Sequence, residues 1–416
     1  MKIHIVTPSD TIYSISKQYG VPEVRLITDN YLDPQSKLLV GQTLIISRPC
    51  KTCSVRGGDT IETIAKEHNT TVLSLLQNNP QVFNQKLIPS QTLNLSYDKE
   101  DAHQIAVAAY TGTSSTKEIE KYLPNISILS VQNHAFINGS EVNVLKSAYE
   151  FASLAKKYRA IPILVIECVN DRGSFDGNCI ANVLGSPSEI ELLINNIINA
   201  VESNGYSGVE LNATGLNNSD EYKFVDFFLA LSGRCRDKNL QCIYPMIPIE
   251  DLSKTDDNLM DISDYIPLWS YIWDDIIKAS APAPIQNFDA LLRNHILNKY
   301  YSKLLLGIPA FGVDYTKVNG NYRKNVVQHN EVLKRIRGFS NYRLKRSGGM
   351  PYIEYEERGR KNGLEHIMHF EDAATLSEKL DLVDKYGLYG INIMSLDYDT
   401  PILWKILNQR YKILKF

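Results

Sequence analysis

No stretch of this chain holds about 18 consecutive apolar residues, so no segment reads as a membrane-crossing helix. The opening MKIHIVTPSD contains no apolar signal-peptide core, so the expectation is synthesis in the cytoplasm without a secretory signal. An excess of one charge is also missing: 44 Lys and Arg stand against 47 Asp and Glu, a formal net charge of −3. That balance offers no electrostatic reason for nucleic acid or an anionic membrane as a partner. Cysteine is scarce, six in 416 residues, which excludes a disulfide scaffold. Cys50 and Cys53 form one C-x-x-C, but no second such pair and no His pair accompanies it. A four-ligand zinc site is therefore not expected, and a reversible disulfide or two linker thiols remain as readings. No cofactor is implied. What is present is ordinary for a soluble protein, with 44% hydrophobic and 22% charged residues. The length suits two to four folding units.

The N-terminus contains a repeat. Residues 4–47 align with residues 53–96 at a constant offset of 49, without a gap. Asp10 falls on Asp59, Thr11 on Thr60, Ile15 on Ile64, Leu26 on Leu75, Asn30 on Asn79 and Leu44 on Leu93. Each copy reads as strand, helix, helix, strand. Asp10-Thr11 and Gly58-Asp59-Thr60 supply helix starts, and Gly41-Gln42 turns into the closing strand.

The second copy carries V-x-x-G-D-T-I-x-x-I-A, then L-x-x-N-N, then L-x-x-x-Q-x-L-x-L. This pattern resembles the LysM domain, with module 1 over residues 1–49 and module 2 over residues 50–98. The resemblance implies binding of N-acetylglucosamine in peptidoglycan or chitin. It places the groove between the loop before the first helix and the loop before the last strand. Carried over, it implicates Ser9, Asp10, Thr11, Asn30 and Leu32 in copy one. In copy two it implicates Gly58, Asp59, Thr60, Asn79 and Val82. Loop amides suit an acetamido carbonyl and apolar loop side chains suit its methyl group. The same Asp and Asn residues also suit helix capping and turn closure.

From residue 99 to 416 apolar strand-like runs alternate with helical segments. Strands are expected at 105–110, 126–131, 161–168, 208–212, 241–247, 265–271, 304–311 and 390–396, and a helix over 141–158. Eight strands with interleaved helices predict an α/β fold, a (β/α)8 TIM barrel. An open doubly wound sheet would carry a Gly-rich phosphate turn after an early strand, and none is present. An inserted α+β subdomain is expected at about 313–388, with strands at Met350–Glu356 and 366–370. His366 and His369 would point to opposite faces of such a strand, which disfavours a shared metal.

The framework G-Y-x-G-V at 205–209, L-L-G-I-P-A-F-G-V-D-Y at 305–315 and F-E-D-A-x-x-L-x-x-K-L-D-L-V at 370–383 resembles family 18 glycoside hydrolases. The subgroup it is most similar to is the spore cortex-lytic and germination N-acetylglucosaminidases, which also carry two N-terminal LysM domains. That family implies substrate-assisted hydrolysis: a Glu protonates the glycosidic oxygen, and an Asp two residues earlier orients the attacking acetamido group. Its strand-four motif is D-G-x-D-x-D-x-E. This chain reads Ser207-Gly208-Val209-Glu210-Leu211-Asn212-Ala213-Thr214. The orienting position is Asn212 and the acid position is Thr214. An alcohol cannot serve as general acid near neutral pH, and losing the acid removes about 10²–10⁴-fold in rate. Glu210 would sit roughly 13 Å below position 214 along the strand. The acetamido-contacting Tyr is kept as Tyr271, while the family's sugar-floor Trp is Met394. Glu210, Tyr271 and Met394 are thus the expected cleft residues. Glu167, Glu250 and Asp274 lie near strand ends as alternative carboxylates, and a few of the 24 tyrosines suit sugar stacking. The expected function is a glycan-binding protein of the spore or cell envelope with a non-hydrolytic barrel. Its expected partners are peptidoglycan or chitin-like glycan and spore coat or cortex proteins, with the spore coat, cortex or cell wall as its location. The alternative is an active N-acetylglucosaminidase acting on cortex peptidoglycan.

Overall fold

The computed structural model describes residues 1–33, 37–97, 102–169, 176, 178–212, 216, 220–244, 247–248, 257–269, 279–329, 331–332, 335, 344–356, 364–398 and 400–416. Module 1 comprises β1 (Lys2–Ile5), α1 (Ile12–Tyr19), α2 (Glu23–Asp29) and β2 (Thr43–Ile46). Module 2 repeats it as β3 (Lys51–Ser54), α3 (Ile61–Glu67), α4 (Val72–Asn78) and β4 (Thr92–Ser96). In each, the two strands pair antiparallel. Repeat-equivalent residues form the two small cores: Ile15, Leu26 and Leu44 in one, Ile64, Leu75 and Leu93 in the other.

The larger domain has β5 (Gln104–Thr111), β6 (Ile128–Asn138), β7 (Glu141–Val144), β8 (Ile161–Cys168), β9 (Gly208–Asn212), β10 (Gln241–Ile243), β11 (Ile247–Pro248), β12 (Ile266–Trp269) and β13 (Leu304–Pro309). It continues with β14 (Phe311–Val318), β15 (Asn321–Gln328), β16 (Lys345–Ser347), β17 (Met350–Glu356), β18 (Glu365–His369), β19 (Gly390–Met394) and β20 (Lys412–Ile413). Parallel pairing runs β10-β9-β8-β6-β5-β19-β13-β12-β11. β10 and β11 are two halves of the fifth strand position, one paired to β9 and the other to β12. The result is a nearly closed ring of eight strand positions, the expected barrel. Close approach within the ring is sterically specified: a Cβ on Gly390 would lie 1.9 Å from the Ala106 carbonyl oxygen.

One expectation fails here. The helix predicted over 141–158 starts only at Ala148, and Glu141–Val144 is instead the strand β7, antiparallel to β6. The sequence E-V-N-V alternates with period two, and Gly139 at φ 61° supplies the reversal before it.

After β13 the chain leaves the ring to form a five-stranded antiparallel sheet, order β15-β14-β18-β17-β16. The expected strands near 350 and 366 are its β17 and β18. In it Asp314 is buried and accepts hydrogen bonds from Tyr355 Oη at 2.7 Å and Arg335 Nη1 at 2.8 Å. His366 meets Asp314, while His369 is buried and stacked on Tyr352. Among the described residues no group of three or more His, Cys, Asp or Glu could hold a metal. No described helix is long and apolar enough to cross a membrane.

Both modules are fused to the barrel through the helix Pro401–Arg410, whose residues 402–409 are all buried. Its Lys405 ammonium pairs with Asp29 of module 1 at 3.2 Å and reaches Gln81 of module 2 at 3.3 Å. Asn408 donates to the Gln77 carbonyl and Gln409 to Ser47 Oγ. Ile45 of module 1 lies in the barrel's core cluster, and Leu39 in that of the inserted sheet.

Candidate functional site

The turns before α1 and α3 are built alike. Thr11 and Thr60, both extended, each accept the third helical N–H and complete capping boxes with Ser14 and Thr63. The threonines therefore cap, and the aspartates close the preceding turn. Asp10 accepts from Thr7 N at 2.6 Å and Oγ1 at 2.8 Å and from His4 Nε2 at 3.0 Å. The Thr7 N–H is the main reason its carboxyl titrates below the usual carboxylate range. Asp59 accepts from Arg56 N at 2.7 Å. Asn30 and Asn79 are buried and spend their amides on backbone. Asn30 bonds Leu26 O, Ile45 O and Ile45 N; Asn79 bonds Leu75 O, Asn94 O and Asn94 N.

In module 2 the expected residues converge. Gly58, Asp59, Thr60 and Val82 line one groove of about 860 Å³, while Asn79 is fully buried and outside its lining. In module 1 they separate. Asn30 and Leu32 line a cavity shared with Phe370 and Asp372 of the larger domain, whose lining does not include the exposed Ser9 and Thr11.

The barrel mouth lies at the C-terminal ends of its parallel strands. Asn212 ends β9 and is buried, opposite Glu167 on β8. Thr214, Tyr271, Glu250 and Asp274 fall outside the described residues. Met394 ends β19, half-buried against the core, and the Met394–Ser395 peptide is cis. Glu210 lies inside the ring, 2% exposed. It accepts from Tyr110 Oη and from Ser130 Oγ. Burial pushes its carboxyl from the ordinary 4.5 up to about 8, so it carries a proton at neutral pH. Glu167 accepts Asn133 N–H at 3.1 Å, and burial pushes it up to about 7.

Sequence reasoning missed Asp397. Its carboxylate gathers the N–H groups of Gly112, Thr113 and Ser114 after β5, binding that loop to the loop after β19. Burial raises its pKa, but these donors and Ser395 outweigh it and hold the group below the ordinary range. Its partners lie some 285 positions away in the chain, so no local pattern announces the role.

The chain matches the LysM domain over residues 4–47 and 53–96 and glycosyl hydrolases family 18 over residues 106–399. It is 25% identical over 433 residues to a Bacillus subtilis protein named as a sporulation-specific glycosylase, YdhD, with 100% of both chains covered. It is 21% identical over 445 residues to the cortical fragment-lytic enzyme of Bacillus anthracis, covering 100% of this chain and 99% of the other. The solved structure of the Bacillus cereus spore cortex-lytic enzyme SleL is similar at a TM-score of 0.79 and 20% identity, covering 100% and 98%. At that identity the structural likeness speaks for the fold alone. With the match spanning its ring of parallel strands, this chain belongs to glycosyl hydrolases family 18 and carries two LysM domains ahead of the barrel.

Proposed function

We propose that this protein binds N-acetylglucosamine-containing glycan, peptidoglycan or chitin-like, in the spore or cell envelope, and that its barrel does not hydrolyse it. The observation that carries this reading is the proton supply of strand four. The acid and orienting positions are Thr214 and Asn212, an alcohol and an amide. The strand's remaining carboxyl, Glu210, is sealed in the ring and bonded to Tyr110 and Ser130. Met394 in place of the floor tryptophan points the same way. The names of the relatives, a sporulation-specific glycosylase and a cortical fragment-lytic enzyme, favour spore cortex peptidoglycan as the glycan.

Release of reducing sugar from purified cortex or from chitooligosaccharide tests the reading. The expected rate is about 10²–10⁴-fold below that of a relative with the intact motif. A rate within about tenfold of that relative overturns it. Binding is read separately, by sedimentation of the whole chain with insoluble peptidoglycan or chitin. Deleting residues 1–97 is a poor control, because it strips the cover from Lys405.

One observation favours a second reading, hydrolysis by a displaced acid. Glu167 lies beside Asn212 near the mouth, and a carboxyl titrating near 7 suits a proton donor at neutral pH. If sugar release is seen, Glu167→Gln should abolish it. Unchanged release removes Glu167 from consideration.

A further inference from the structure

Resting on the glycan-binding reading of the modules, we infer that the groove of module 2 is a composite site completed by the barrel. Its outer wall is Tyr158 and Lys157, and its ligand is an oligomer of N-acetylglucosamine. Within module 2 the groove is bounded by the turn around Gly58–Thr60 and by the loop from Val82 to Pro89. Lys157 and Tyr158, which complete its lining, come from the end of the barrel helix Ala148–Lys157. The Phe83 and Tyr158 rings, one from each domain, meet with centroids 6.3 Å apart.

The wall is held in place. Tyr158 Oη donates to Glu120 Oε1 at 3.0 Å, and Lys157 Nζ donates to the same oxygen at 2.9 Å. The Lys157 ammonium also lies over the Tyr158 ring, 5.2 Å from its centroid, and this pairing of a half-buried aromatic with an exposed ammonium suits a sugar and its acetamido and hydroxyl oxygens. The groove's volume of about 860 Å³ falls in the range of ligand sites. The track also extends: Phe83 and Gln85 line a neighbouring cavity with Tyr31 of module 1 and Tyr122 and Trp404 of the barrel. In module 1 the corresponding loop turns its Leu39 into the inserted sheet instead.

Titration calorimetry of the whole chain with the N-acetylglucosamine hexamer tests this. Tyr158→Ala should weaken binding about tenfold, the scale of one aromatic anchor, while Tyr158→Phe, which keeps the ring but frees it from Glu120, should weaken it by less than the alanine variant. Lys157→Ala, on an exposed side chain that leaves every core intact, should weaken it about threefold. Parent-like affinity in both alanine variants overturns the composite site and leaves glycan binding by the modules standing. No binding by the parent overturns both.

Discussion

Two copies of one module do different work at equivalent positions. Leu39 of module 1 is 8% exposed, packed among Ile353, Met368 and Phe370 of the inserted sheet. Its counterpart Ile88, 49 residues on, is 66% exposed. Ile45 joins the barrel core, whereas its counterpart Asn94 bonds Asn79, Tyr97 and Arg25. The internal lock is the same in both, an asparagine bonded to three backbone groups. A repeat therefore specifies how each copy folds, and the neighbouring domain decides which surface each copy keeps free. At these positions module 1 is wedged into the larger domain, while module 2 keeps an open groove.

The largest test of this contrast is Lys405→Ala. It takes the nearer of its two cations from buried Asp29, leaving Arg25 at 3.9 Å, and removes the contact to Gln81. The expected loss is about 3–5 kcal/mol in urea unfolding. A loss under about 1 kcal/mol would mean the modules are not seated through this helix. Next comes the pair of equivalent substitutions. Leu39→Ala should cost about 2–5 kcal/mol, and Ile88→Ala should stay within about 0.5 kcal/mol. Equal costs would erase the distinction between wedge and groove. Asn79→Ala strands the Asn94 N–H and two carbonyls and should cost about 1–3 kcal/mol. Hydrogen exchange should localise that loss to β4, whereas Asn30→Ala should loosen barrel amides as well, because β2 carries Ile45.

The last test contrasts the barrel interior with both modules. Glu210 binds its proton more tightly folded, at about 8, than at its ordinary 4.5. The stabilisation is therefore full below about 4.5 and is lost as pH rises through about 8. Stability measured across that window should decline with pH, and Glu210→Gln should flatten the decline. An unchanged slope would assign the decline to other groups, Glu167 first.

Much of this was legible beforehand. The repeat offset alone paired Ile15 with Ile64 and Leu26 with Leu75, because a core position recurs wherever its module does. The eight strand positions were legible from apolar runs bounded by helices. The proposed loss of proton supply at strand four rests on residue identities, Asn212 and Thr214, that are read directly from the sequence. What escaped was nonlocal. Tyr110 and Ser130 lie 100 and 80 positions from Glu210, so the proton-holding cage appears only when the ring closes. Lys405, Asn408 and Gln409 are polar residues on a helix, a pattern that by itself points to solvent. They face inward because two other domains supply their partners. Tyr158 carried no mark of a binding wall, since it follows an ordinary barrel helix.

The seat of the modules on Lys405 also has a temporal side. Asp29 and Lys405 stand 376 positions apart in the chain. At roughly 5–20 residues per second, a ribosome that has finished Asp29 needs on the order of 20–75 s to reach Lys405. Throughout that interval Leu39 and Ile45 have no barrel to enter. Until the barrel is made, the newborn chain therefore carries that apolar flank uncovered.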